Sequence, residues 1–379
     1  MAGIYIHIPF CKKKCSYCDF HFSTNFKYKS ELLAALQKEI SLKKSFFKTE
    51  TISTIYFGGG TPSVLTEKEL NLLLEAVYSN YKVNEKVELT IECNPDDITF
   101  KKINEYKKSG VNRLSIGIQS FFDDDLQFFN RAHNANEAEQ SILKTQDAGI
   151  DNITIDLIYN SPLLTLKKWE QNLDKFISLN VPHLSAYTLT VEPKTVLHHL
   201  VKTKQTTLPT DEQAIEQFKL LIDKTKQAGL IYYEVSNFGK EGYFSQHNSN
   251  YWKGENYLGI GPSAHSFMNN NTSHKRSWNI ANNTKYIDAI NQNTPYFEEE
   301  LIDETTAFNE YILTRLRTIW GLELGFIKDT FNPELLNHFE KELEAYKNSE
   351  LIAISKNKVT LTTKGIFMVD KITADLFYV

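Results

Sequence analysis

The sequence predicts an α/β protein: a partial (β/α)6 barrel followed by a small α-rich, winged-helix-like C-terminal domain. Three observations carry that expectation. Short β-patterned runs recur at intervals of roughly 30 residues, the length of one βα unit. Helix-like stretches separate them, as a parallel sheet with helical cover requires. The runs also alternate apolar with polar residues. An open doubly wound sheet, covered on both faces, reads apolar on both, whereas a barrel can line its interior with polar groups.

The runs are GIYIHI (3–8), TISTIYF (51–57), VELTIEC (87–93), RLSIGIQ (113–119), NITIDLI (152–158) and HLSAYTL (183–189). Ile4, Ile6 and Ile8 share one face, with Tyr5 and His7 on the other; Leu114, Ile116 and Ile118 likewise oppose Ser115, Gly117 and Gln119. Glu92, Gln119 and Asp156 fall near the C-terminal strand ends, where such barrels place their sites. Helices are expected over 28–44, 66–79 and 210–229, with Thr66 and Glu69 forming a capping box and Gly229 a stop.

The barrel is expected to span 1–232 and a connecting segment 233–290, with the C-terminal domain over 291–379. The stretch after the barrel, from "YYEVSNF" to "SAHSF" (232–267), is rich in Gly, aromatics and Asn and reads as ordered loop, and the stretch from "NNNTSHKRSWN" to "NQNTP" reads as a boundary. Helices near 305–320 and 333–349, a hairpin "LIAISKNKVTLT" and a last helix near 363–377 complete the tail. That order resembles a winged helix. From residue 300 on, however, it carries 13 acidic against 9 basic residues, the wrong sign for nucleic acid.

Composition narrows the class. The 379 residues are 41% hydrophobic and 23% charged, ordinary for a soluble domain, and the net charge of -5 gives no reason to expect nucleic acid. No apolar run reaches the roughly 18–20 residues of a membrane span, so no integral membrane protein is expected. "MAGIYIHIPF" lacks the basic flank of a signal peptide. Cys93 is the only cysteine outside one cluster, which suits a reducing cytoplasm better than a disulfide scaffold.

That cluster is "CKKKCSYC", with Cys11, Cys15 and Cys18 spaced C-x3-C-x2-C. Soft thiolates suit zinc or iron–sulfur. Structural zinc takes four ligands in two pairs, and His21 is the side chain nearby that could complete such a set. A [4Fe–4S] cluster on three cysteines instead leaves one iron without a protein ligand, free to bind a substrate or cofactor. The glycines of "YFGGGTPS" (56–63), after a strand, let the backbone approach a ligand closely.

The cysteine spacing after a first strand, with Tyr17 just before Cys18, resembles the radical S-adenosylmethionine superfamily. The resemblance implies that the open iron chelates the methionine amino and carboxylate groups, and that an electron from the cluster cleaves the sulfonium. Gly59, Gly60 and Thr61 match the motif that holds the methionine amino group. Glu92, Gln119, Arg131 and Asp156 match positions that contact S-adenosylmethionine in the oxygen-independent coproporphyrinogen III oxidase branch, and Tyr5 matches the aromatic near the cluster. Cys93 is expected to be dispensable for the cluster.

"YIHIPFC", "IECNPD", "RLSIGIQSF", "YEVSNF" and "HNSNYW" together resemble the haem-chaperone members of that branch, over about residues 5 to 267, and the tail resembles their C-terminal domain. True oxidases have a further Cys where this chain has Phe20, and an N-terminal extension that is not expected here. Two positions depart from the pattern: "YNSP" (159–162) where Gly is usual after Tyr, and Pro262-Ser263 in a usually Gly-rich turn. The resemblance implies haem as a third bound group, haem-dependent membrane or respiratory proteins as recipients, and His247 of the HNxxYW motif as haem ligand. His133 and His265 are its rivals; nothing is expected of His198 and His199. The competing readings are a coproporphyrinogen III oxidase and a radical enzyme acting on another substrate.

Overall fold

The computed structural model describes residues 2–270 and 273–379; Asn271 and Thr272, within the expected boundary stretch, lie outside the described residues. Six parallel strands form the centre: β1 Ala2–Ile8, β2 Ile52–Gly59, β3 Val83–Cys93, β4 Arg113–Gln119, β5 Ile153–Tyr159 and β6 His183–Thr188. They stand in chain order, as right-handed βαβ crossovers dictate. The alternation holds. Ile4, Ile6 and Ile8 are wholly buried under helical cover that includes Leu32, Leu36 and Ile40 of the helix Lys29–Leu42. Burying each such side chain is worth about 1.5–3 kcal/mol. Tyr5, His7, Thr54, Tyr56, Glu88, Glu92, Arg113 and Asp156 take the opposite, interior face.

Local signals set the helix ends. Thr66 accepts from the Glu69 N–H at 3.2 Å while the Glu69 carboxylate accepts from the Thr66 N–H at 2.7 Å. Gly229 follows the helix Asp211–Gln227 with φ +77°, a left-handed stop that costs glycine least.

The segment after 232 is not loop. It contributes β7 Ile231–Glu234, β8 Asn237–Gly239, β9 Asn256–Ile260, β10 His265–Asn270, β11 Ser273–Asn279 and β12 Phe297–Ile302. The sheet runs β12-β11-β10-β9-β1-β2-β3-β4-β5-β6-β8-β7. β9 pairs parallel with β1, Ile4 opposite Leu258, so a seventh parallel strand precedes the six. Its glycine and asparagine content hides this: Gly259 is required because a Cβ there would lie 2.1 Å from the His265 carbonyl oxygen. The helix Asn283–Gln292 packs on Lys29–Leu42, and Tyr286 and Ile290 join the main core.

A second core begins at Phe308 and gathers Leu316, Leu322, Phe339 and Val359. The order is helix Glu304–Leu316, β13 Leu322–Glu323, helices Leu324–Thr330 and Pro333–Glu344, then the hairpin β14 Ile352–Ser355 and β15 Lys358–Leu361, a winged-helix arrangement. The expected last helix is two, Thr363–Ile366 and Val369–Leu376, divided where the Phe367 ring turns edge-on to Phe218 at 5.4 Å. The Ile319 N–H donates to the Tyr233 carbonyl at 3.0 Å and stitches this domain to the barrel.

Candidate functional site

The C-terminal ends of the parallel strands open into one cavity of about 750 Å³, where ligands of such sheets bind. Its walls include Cys11, Cys15, Cys18, Gly59, Gly60, Thr61, Glu92, Gln119, Arg131 and Asp156.

The cysteine loop leaves β1 and is pinned at both ends. The Cys11 N–H donates to the Ser23 carbonyl at 3.0 Å and the Ser16 N–H to the Phe129 carbonyl at 3.0 Å. All three thiols are free and partly exposed. Burial raises Cys11 above its ordinary value, and burial with the neighbouring thiols pushes Cys18 up to about 11. Such thiols deprotonate when a metal supplies the compensating charge. Among the described residues, no three His, Cys, Asp or Glu side chains converge on one point as a single metal ion needs. A four-iron cluster takes its thiolates at separate irons. The donor set fits the cluster. His21 is engaged elsewhere, Nε2 to Asn283 Oδ1 at 2.7 Å. Cys93 is buried, its thiol facing Tyr106.

The glycines bring backbone close to the cavity. Gly59 has φ +109°, and a Cβ there would sit 2.4 Å from the His7 ring; at Gly60 it would sit 2.8 Å from the Phe10 backbone. Glu92 accepts from the Gly59 N–H at 3.1 Å and the Tyr56 hydroxyl at 2.9 Å. Burial, with Asp156 nearby, raises Glu92 to about 7; burial raises Asp156 to about 6. Gln119 ends β4 at φ +67°, where the β4–β5 register shifts between Ile116 and Gln119, and this irregularity aims its side chain into the site. Two carboxylates, an amide, a guanidinium and bared backbone suit a ligand with hydroxyls, amine and carboxylate. The residues fit S-adenosylmethionine.

Arg131, on a loop, donates through Nη1 to Cys15 Sγ at 3.2 Å and through Nη2 to Asn94 Oδ1 at 2.7 Å and the Gly117 carbonyl at 2.9 Å. Asn94, Ser115 and Tyr187 also line the cavity and were not anticipated as site residues. Ser115 shares the face of Gln119, and Asn94 stands two beyond Glu92, so period and proximity were available as signals. Both departures from the family pattern sit at left-handed positions, Asn160 at φ +60° and Ser263 at φ +64°, which explains why glycine is usual there.

Two expected residues lie apart from the cavity. Tyr5 sits in the layer beneath, its hydroxyl 3.0 Å from His7 Nδ1 and its ring 6.1 Å from Tyr56. His247, on the helix Gln246–Lys253, is only 2% exposed, and both ring nitrogens are engaged: Nδ1 to Thr54 Oγ1 and Nε2 to the Tyr251 hydroxyl, each at 2.7 Å. As folded, it offers iron no nitrogen, and the site does not fit haem at this residue. Of its rivals, His265 is exposed, and His133 is buried with Nε2 3.0 Å from the Ile118 carbonyl and Nδ1 without a partner.

Residues 5–193 match the Radical SAM superfamily and residues 302–368 the HemN C-terminal domain. The heme chaperone HemW of Bacillus subtilis (strain 168) is 33% identical over 96% of this chain and 96% of its own length. HemW of Lactococcus lactis subsp. lactis (strain IL1403) is 30% identical over 95% and 93%. Among solved structures, coproporphyrinogen III oxidase (HemN) from Escherichia coli superposes with a TM-score of 0.84 at 20% identity, covering 99% of this chain and 89% of that one. That likeness establishes the shared fold.

Proposed function

The chain belongs to the HemW family of radical SAM proteins, and from that membership we propose that it is a haem chaperone, one that carries a [4Fe–4S] cluster and S-adenosylmethionine and passes haem to haem-dependent respiratory proteins. The observation that carries the cofactor reading is the single cavity shared by the three cysteines and the seven S-adenosylmethionine positions. Cys11, Cys15 and Cys18 would hold the cluster. Gly59, Gly60 and Thr61 would take the methionine end, with Glu92, Gln119, Arg131 and Asp156 around the remaining polar groups.

When bound, the cluster supplies one electron at low potential to the cofactor beside it. The chain's own residues bind and orient: the pinned loop would present three thiolates, Arg131 spans from Cys15 to Asn94, and the buried carboxylates would accept hydrogen bonds from the ligand's hydroxyls. The haem reading rests on the two relatives, both heme chaperones, and on Phe20, 68% exposed at the cavity wall where the oxidase pattern has cysteine. Free thiols suit a reducing cytoplasm, and no helix among the described residues is long and apolar enough to cross a membrane.

The test is an absorbance titration with haem beside anaerobic turnover of coproporphyrinogen III by the reconstituted protein. Haem should bind, with or without the cluster, and no decarboxylation should appear. Turnover without haem binding would favour the oxidase.

A further inference from the structure

The Gln246–Lys253 helix carries the HNxxYW motif and closes the end of the barrel away from the cysteines. We propose that this helix is the floor of the barrel and that His247 is a positioning residue for the Glu92 carboxylate, acting through Tyr56, rather than a haem ligand. The inference rests on the proposed role of Glu92 toward S-adenosylmethionine.

Contacts run unbroken from the helix to the cavity. The His247 ring stacks on Tyr56 at 5.0 Å between centroids and 23° between planes. Tyr56 in turn donates its hydroxyl to Glu92 Oε1 at 2.9 Å, and Glu92 Oε2 holds the Gly59 N–H. Tyr56 therefore has one face against the imidazole and its oxygen on the carboxylate, and a change in ring tilt moves the carboxylate's donor.

Everything around His247 holds it there. Glu88, on the interior face of β3, accepts from the Gln246 N–H at 3.0 Å and the His247 N–H at 3.1 Å, fixing the start of the helix. Tyr251 meets the imidazole edge-on at 4.8 Å. Gly3 makes room on β1: a Cβ there would lie 2.7 Å from Thr54 Oγ1 and 3.2 Å from the imidazole. Burial and the Arg113 guanidinium lower His247 to about 3, so the ring is neutral, and the two hydroxyls can supply whichever hydrogen-bond role each nitrogen lacks. Ligating iron through Nε2 would break the Tyr251 bond and draw the ring from beneath Tyr56.

The experiment measures S-adenosylmethionine affinity of the cluster-reconstituted protein by calorimetry, and the haem spectrum, for Glu92→Gln, Tyr56→Phe, His247→Ala, His247→Phe and the Tyr56→Phe/His247→Ala pair. Tyr56→Phe, which removes the hydrogen bond to Glu92, and His247→Ala, which lets the Tyr56 ring turn away from it, should each weaken binding about 10-fold. The pair should be little weaker than either alone, because both act along one path. His247→Phe, which restores a ring beneath Tyr56, should recover most of the affinity with the Soret band of the unmodified protein. His247→Gln, which can bond Thr54 but has no ring, replaces the alanine variant if that does not fold, with the same loss expected. Additive losses would overturn the inference. So would a His247→Phe variant with normal S-adenosylmethionine affinity and a displaced Soret band, the signature of a lost iron ligand. Normal affinity in Glu92→Gln would remove the reading of Glu92 itself, and the inference with it.

Discussion

Arg131 and Cys15 are joined by a hydrogen bond, Nη1 to Sγ at 3.2 Å, across 116 residues of sequence. The same guanidinium reaches Asn94 and Gly117 in the adjoining cavity, so one side chain couples the cysteine loop to the cofactor walls. Hydrogen bonds to a ligating sulfur raise a cluster's potential. Arg131→Met should therefore lower the potential in an anaerobic redox titration and weaken S-adenosylmethionine binding about 10-fold. An unchanged potential with weakened binding would confine Arg131 to the cofactor.

The cysteines divide cleanly by position. Cys11→Ala/Cys15→Ala/Cys18→Ala should lose the broad absorbance near ~400 nm that thiolate-bound clusters show, and about all of the reconstituted iron. Cys93→Ala should keep both, since its thiol faces Tyr106 behind the strand. Iron analysis of the two proteins decides it.

S-adenosylmethionine affinity should depend on pH in one direction. Glu92 and Asp156 are raised to about 7 and about 6, chiefly by burial. A carboxylate accepts from ribose hydroxyls and attracts a sulfonium; a neutral carboxyl does neither as well. Affinity should fall as pH drops through about 7 and again through about 6, and be flat above about 8. Asp156→Asn should remove the lower step and cost about 1–3 kcal/mol. Calorimetry across that range tests both.

Gly59→Ala should destabilise the fold by about 1–3 kcal/mol, combining a left-handed φ with a ring contact. The Cβ would meet His7, whose Nε2 bonds the His21 carbonyl at 2.9 Å, so the end of the cysteine loop should loosen as well. Denaturant unfolding of the protein without cluster gives the cost, and the rate of iron uptake gives the second effect.

Much of the cavity was legible because its residues repeat at strand period. Glu92 and Gln119 sit at strand ends and Asp156 at the middle of β5, all on the face opposite leucine and isoleucine, and the cysteines lie on one short loop. Arg131 was legible only by resemblance, since a loop has no period. Tyr5 was placed on the correct face, but one layer too high, because alternation assigns a face without a depth.

What the sequence by itself determined is local: six strands and their inward faces, the capping box at Thr66, the stop at Gly229 and the three-cysteine loop. Backbone sterics, side-chain alternation and hydrogen bonds three residues apart act within a few positions, so they are written where they operate. The tertiary structure decided which distant segments meet. β9 pairs with β1 across some 250 residues, a choice governed by the hydrogen bonds left open on the β1 edge and the space its glycines provide. That pairing carries the Gln246–Lys253 helix beneath the barrel and turns His247 from an expected haem ligand into a buried imidazole with both nitrogens satisfied. Burial depends on what packs around a residue, and for His247 the packing partners are Thr54, Tyr56 and Glu88, all more than 150 positions away.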